Sequence, residues 1–332
     1  MNMDNVVYAV VDDGFRQSKG MTSEGFKGAV PSVARSGYTL SSIGEDDSGS
    51  GGYESEGLQY TVDASIDGED TRYNDYAFTP INRVLVNHVL QLAGLGGKDV
   101  VLATGLPFQT YFRQGGTDVN QDILERKMAN LAIEVRPLNG KEPPRIMRQT
   151  VVAQGVAAVI DYLTDDQGNI RSDIDPEAPL AVVDVGGRTT DSVTIYGGSK
   201  VDHAASGTGE VGISNVYDHI ESELKRRFSV SKIRLGLLEQ VARQRRVSLR
   251  GQSHDVGDIV DAAVEEVGQK ILREVKRRIA DAAEMQAVVL VGGGATLMQR
   301  LVLKEYPHCH VPSEPEFANA RGMLKFLRFM GD

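Results

Sequence analysis

Cysteine is nearly absent: Cys309 is the single one in 332 residues. An internal disulfide is therefore excluded, and the composition fits a reducing cytoplasm. A cysteine pair at histidine spacing is also missing, so His203, His219, His254, His308 and His310 offer no zinc-site pattern. Basic residues are in deficit, 36 Lys and Arg against 46 Asp and Glu, for a net charge of -10. That excludes a broad electrostatic footprint for nucleic acid, and any link to DNA is expected to run through another protein. No apolar run approaches the roughly 20 residues of a membrane span. No signal-peptide design precedes the first strand-like run. A cytoplasmic protein with no membrane contact is expected, long enough for two domains.

What the chain does have is apolar strand-like runs that end in glycine. Leu180 to Asp191 reads as a strand closing on Asp184, then Gly186, Gly187, Arg188 and Thr189, before a second strand from Ser192 to Tyr196. Glycines in such a hairpin let backbone N–H groups approach phosphate oxygens. A carboxylate at the strand end is placed to hold water around a Mg²⁺. Val6 to Val11 repeats the order, running into Asp12, Asp13, Gly14, Phe15 and Arg16, with Lys19 on the returning strand. Near the C-terminus, Ala287 to Val291 meets Gly292, Gly293 and Gly294 and then a helical segment, Leu297 to Glu305. One glycine hairpin is a common turn. Three after apolar strands, two of them carrying an acid, point to one nucleotide gripped from several sides.

The rest of the chain alternates strands and helices. Ile81 to Leu92 has helical spacing with Gly94 as its stop, and Asp99 to Ala103 is a buried strand. Helices are expected over Ile123 to Leu131, Gln154 to Leu163, Ile213 to Phe228 and Asp258 to Ala283. Ser36 to Glu56, rich in Ser, Gly, Asp and Glu, reads as a mobile surface loop. Asp165 to Pro179 is polar and marks a boundary between halves that each begin with an Asp-hairpin, which suggests two similar α/β domains around a cleft.

On these residues the chain resembles the actin superfamily, and within it the StbA/ParM plasmid-segregation actins. The first strand and loop resemble that family's IDDGSTNIK. Gly105 to Phe112 resembles TLPLTEYY, and Asn120 to Asn130 resembles ENIERKKAN. Asp184 to Asp191 resembles DLGGTTLD, and Val291 to Ala295 resembles IGGGA. The resemblance implies an α/β, actin-like fold of two related domains, 1–165 with 311–332 and 180–310, each a mixed sheet flanked by helices. It also implies an Mg²⁺-dependent ATPase, with ADP as product, that polymerises with itself into filaments on binding ATP. Such a protein would segregate a plasmid or other replicon through a ParR-type adaptor on centromere-like DNA. No motif for the base pocket separates ATP from GTP.

Carried over by position, Asp12 and Asp184 resemble the Mg²⁺-associated aspartates, acting through water, and Lys19 the phosphate-contacting lysine. Gly14, Gly186, Gly187, Thr189 and Gly209 would line the phosphates, and Gly292, Gly293 and Gly294 the adenosine and α-phosphate. Arg273 and Lys276 would flank the nucleoside. Where the ParM branch has a glutamate after a VMP run, Gln149 stands here. A glutamine is no general base, but its amide can orient the attacking water. Phe15 and Arg16 replace small hydroxyl residues, and Arg188 replaces a threonine. Either arginine can reach a phosphate bidentately or point to solvent, and both readings stand at this point. Asp13 and Asp191 can equally be turn residues bonding their own backbone. Glu125, Arg126 and Lys127 read most simply as a solvated helix face, which the resemblance upgrades to a filament contact. Two alternatives are a small-molecule kinase of the same superfamily and a nucleotide-binding scaffold that does not hydrolyse.

Overall fold

A computed structural model describes residues 6–37, 49–113 and 117–331. The first half begins with β1 (Val6–Asp13), β2 (Gln17–Thr22), β3 (Lys27–Pro31), β4 (Ala34–Ser36), β5 (Gly51–Ser55) and β6 (Leu58–Val62). It continues through α1 (Pro80–Leu92), β7 (Asp99–Leu106), α2 (Phe108–Tyr111), α3 (Gln121–Ala132), β8 (Arg136–Pro137), β9 (Arg145–Ala153) and α4 (Val156–Leu163). The second half holds β10 (Leu180–Val185), β11 (Thr190–Tyr196), β12 (Lys200–Val201), β13 (Gly207–Gly209), α5 (Ile213–Phe228) and α6 (Leu235–Gln244). After these come β14 (Arg246–Leu249), β15 (Gln252–Asp255), α7 (Gly257–Ile279), β16 (Ala287–Val291), α8 (Ala295–Glu305), β17 (Cys309–His310) and α9 (Ala318–Phe329).

Each half is built on a mixed sheet, in the orders β3-β2-β1-β7-β9 and β12-β11-β10-β16-β17, with β13 added to β11. In both, the strand that carries the aspartate turns back antiparallel on the next strand and pairs parallel with a third. β1 and β10 are buried along almost their whole length. Continuous runs of β-branched residues suit such strands, covered by helices on both faces. The parallel partners β7, β9 and β16 run the same way, so the chemistry-bearing ends of each sheet lie at one edge.

Local signals explain the helix limits. Thr79 caps α1, its Oγ1 accepting from Asn82 N at 3.3 Å, with Pro80 in the first helical position. Gly94, at φ +71°, follows its end. The C-terminal helix α9 returns to the first half, where it packs on α4 and β1. A Cβ on Gly322 would fall 1.7 Å from the Ala157 carbonyl oxygen, so the two helices meet backbone to backbone.

The stretch expected as a mobile loop needs correction at its ends. Ser36 closes β4, and Gly51–Ser55 is β5, paired with β6 and β8 in a small four-stranded sheet order of β4-β6-β5-β8. Tyr53 supplies the reason: it is a buried aromatic whose hydroxyl lies 2.7 Å from His88 Nδ1 of α1. Residues 38–48 of that stretch lie outside the described residues. Among the described residues no helix is long and apolar enough to cross a membrane.

Candidate nucleotide site

The two aspartate turns face one another across a cavity of about 390 Å³ between the halves. On one side β1 and β2 pair with Asp12 opposite Lys19, leaving Gly14, Phe15 and Arg16 in the turn. On the other, β10 and β11 pair with Asp184 opposite Asp191, leaving Gly186 to Thr189 in the turn. Gly292, at the end of β16, has φ +90° and lies so close to this turn that a Cβ would fall 2.2 Å from Asp184 Oδ1. No side chain fits there.

Three of the aspartates that line the cavity, Asp12, Asp184 and Asp191, are buried in the strands that end at the turns. Asp12 Oδ1 accepts from Gln154 Nε2 at 2.6 Å, and its Oδ2 lies 3.5 Å from Lys19 Nζ. Asp184 Oδ2 accepts from Asn319 Nδ2 at 2.6 Å, and Asn319 Oδ1 in turn accepts from Gly155 N at 3.0 Å. The first turn of α9 and the entry to α4 thus hold that carboxylate from behind. Burial, and then the charge of Asp12, raise the Asp184 pKa to about 6. Burial raises Asp191 to about 7, although the Thr208 hydroxyl donates to it.

Two buried donors here have no partner among the described atoms: Arg16 Nε and Arg188 Nη1. Buried N–H groups left unpaired are costly. Two of them beside glycine turns, with Lys19, suit an anion with several acceptor oxygens. The facing carboxylates suit a hard divalent cation beside that anion. Among the described residues no group of three or more His, Cys, Asp or Glu is placed to ligate a metal. A Mg²⁺ held by Asp12 and Asp184 would complete its shell from water and phosphate, as that ion does.

The structure brings Asp12, Gly14, Phe15, Arg16, Lys19, Asp184, Gly186, Gly187, Arg188, Thr189, Gly292 and Gly293 to the cavity wall. It does not bring others. Gln149 sits mid-strand in β9 opposite Leu102, four residues short of the strand end at Ala153, or about 13 Å at strand rise. Gln154, just past that end, takes the place beside Asp12. Lys276 pairs with Glu305 of α8 at 2.6 Å, and Arg273 is exposed, so α7 turns neither toward the cavity. Gly209 backs onto Glu274 of α7, and Gly294 donates its N–H to the Val185 carbonyl, both behind the wall.

Two further expectations change. Lys127 is not on a solvated face: it is fully buried, and its Nζ donates to Asp13 Oδ2 at 2.6 Å. Asp13 is therefore no self-bonding turn residue; Asn82 Nδ2 also donates to its Oδ2, at 2.6 Å. Sequence reasoning missed Gln154, Asn319, Tyr217 and Glu239, the last two being cavity residues on α5 and α6. Only Gln154 carried a readable signal, a polar residue between a strand end and an alanine-rich helix.

The family model for plasmid segregation protein ParM, N-terminal, matches residues 7–165. That for the archaeal actin homologue MreB-like, C-terminal, matches residues 182–304. Among solved structures, a non-polymerisable quadruple mutant of pCBH ParM superposes with TM-score 0.79 at 19% identity, covering 98% of this chain and 99% of that one. The archaeal actin homologue Ta0583 superposes with TM-score 0.78 at 18% identity over 97% and 99%. A 15-stranded ParM filament from Clostridium botulinum gives 0.75 at 20% identity over 97% and 99%. Ta0583 has also been solved with ADP, and a Bacillus thuringiensis ParM with AMPPNP. A comparison with curated sequences gives no match.

Proposed function

We propose that this chain, which has an actin-like fold and an N-terminal half matched by the ParM family model, is an actin-like ATPase that assembles into filaments on ATP and moves a DNA replicon. The observation that carries this is the pair of facing turns, with Asp12, Lys19 and Gln154 on one side and Asp184 on the other. The filament of a ParM of this fold supports self-assembly, and the nucleotides held by two relatives support ATP as ligand, with GTP the comparison to make.

In this reading Mg²⁺ supplies neutralising charge at the β- and γ-phosphates. The protein's part is to position. Backbone N–H groups of both glycine turns and the Lys19 ammonium face the phosphate chain, preorganised for its charge. Gln154 gives its amide N–H to Asp12, which leaves its carbonyl oxygen to accept from an attacking water and orient it. Asp191 lines the same cavity, and its carboxylate, to which the Thr208 hydroxyl donates, is the base we assign to that water. The role expected of Gln149 thus passes to Gln154.

Closure of the cleft on ATP would favour the contact between successive subunits, and hydrolysis would weaken it. With a net charge of -10, the cargo is reached through a ParR-type adaptor on centromere-like DNA in the cytoplasm. The test is light scattering on addition of Mg-ATP, with phosphate release followed in the same sample. Scattering that rises and then decays as phosphate appears is the expected result. Phosphate release without scattering, dependent on a small alcohol, would point to a kinase instead.

A further inference from the structure

Arg16 begins in the turn between β1 and β2 and ends in the other half of the molecule. Its stem crosses directly over Gly187, where a Cβ would fall 2.3 Å from Arg16 Cγ. Beyond that point Nη2 donates to Glu239 Oε1 of α6 at 2.7 Å, and the guanidinium lies 4.5 Å from the centre of the Tyr217 ring of α5. The side chain is only 9% exposed, and its Nε has no partner among the described residues. The ion pairs Arg72–Asp218 and Lys232–Asp67 also cross between the halves, but their side chains are 40% to 75% exposed. Pairs so open to water contribute little. Of these three ion pairs between the halves, Arg16–Glu239 is the one whose cation is buried.

A guanidinium is a rigid planar fork of five donors, so one edge can hold one anion while Nε and its neighbour meet another. We propose that Arg16 is a positioning residue that ties the phosphate chain of the bound nucleotide to closure of the α5–α6 region. The phosphate takes the free Nε–H, and Glu239 and Tyr217 take the rest of the fork. Binding of phosphate then stiffens the strap that holds the halves together, because the same cation neutralises an acid on each side of the cleft. This deepens the proposed function and rests on it. The glycine at 187 is what lets the strap pass. The lysine variant, a point charge on a flexible stem, cannot hold both anions in one plane.

The experiment measures closure separately from turnover. Dyes at Gln59→Cys and Gln252→Cys, both exposed positions on the outer parts of the two halves, report their separation by energy transfer in a Cys309→Ser background. Affinity for a fluorescent ATP analogue is measured in the same samples. The unsubstituted strap should show a shorter separation at saturating Mg-ATP. Arg16→Gln and Arg16→Lys should lose most of that change, and Arg16→Gln should bind about 10- to 100-fold more weakly, the loss of a charged hydrogen bond. Glu239→Gln, isosteric and at a helix position, should lose at least half of the closure while affecting affinity less. It also keeps the test open if the Arg16 variants do not fold. Full closure in Arg16→Gln at saturating nucleotide, or unchanged closure in Glu239→Gln, would overturn the strap and leave the nucleotide site standing. Failure of the unsubstituted protein to bind the analogue would overturn the nucleotide reading as well.

Discussion

Lys127→Met is the most informative single change for the fold around the site. Lys127 is fully buried, and the Asp13 side chain it meets at 2.6 Å is 1% exposed. Methionine keeps the length of the stem, so the cavity left behind is small and the change isolates the charge. Asp13 would keep Asn82 at 2.6 Å and the Gly105 N–H at 3.4 Å, but no cation. Breaking a buried ion pair costs about 3–5 kcal/mol, and the two surviving donors place this case near 3. For a cooperative unit of roughly 150–250 residues that is a fall in Tm of about 6–12 °C. The double variant Lys127→Met, Asp13→Asn replaces the pair by neutral groups and should return to within about 1 kcal/mol of the unsubstituted protein. Thermal denaturation of the nucleotide-free protein by circular dichroism measures all four corners of the cycle. A single Lys127→Met variant within about 1 kcal/mol of the parent would refute the assignment of this pair as buried and charged.

Gln154→Ala should slow phosphate release by about 100-fold or more at saturating Mg-ATP while nucleotide still binds, whereas Gln149→Ala should turn over normally. The reverse ranking would restore the mid-strand glutamine. Burial holds the His88 pKa at about 4. The folded state thus favours neutral imidazole, and stability that is complete above pH 6.5 should be lost as pH falls toward 4, by about 3 kcal/mol in total. Asp184 and Asp191, with raised pKa values, act in the opposite direction on acidification. The check is therefore the pH slope of stability relative to His88→Gln, in which those carboxylates cancel; equal slopes would sink it. Gly322→Ala should cost about 2 kcal/mol or more, because overpacking against backbone outweighs the roughly 1 kcal/mol gain in helix propensity. Unchanged urea denaturation in that variant would contradict the close α4–α9 contact.

Much of this protein is written in local pattern. The strands around Asp12 and Asp184, the glycine turns after them, and helices such as Ile213–Phe228 follow from residues adjacent in the chain. Apolar periodicity, β-branching and glycine act over a few residues, so a linear sequence carries them. The Tyr53 strand was hidden because its polar neighbours outweigh one aromatic, whose partner His88 comes 35 residues later. Gln154 rather than Gln149 reaches the cavity because β9 ends against β7 at Ala153, and that end depends on pairing between strands. The direction in which α7 presents Arg273 and Lys276 depends likewise on α8, which supplies Glu305. Lys127 looked like one charge among several on α3 until the fold placed Asp13, 114 residues away, beneath it. The sequence by itself determined the two aspartate turns and hence the chemistry a cleft could hold. Only the tertiary structure decided which glutamine, which asparagine and which arginine meet there, because those contacts join distant segments whose approach is set by packing.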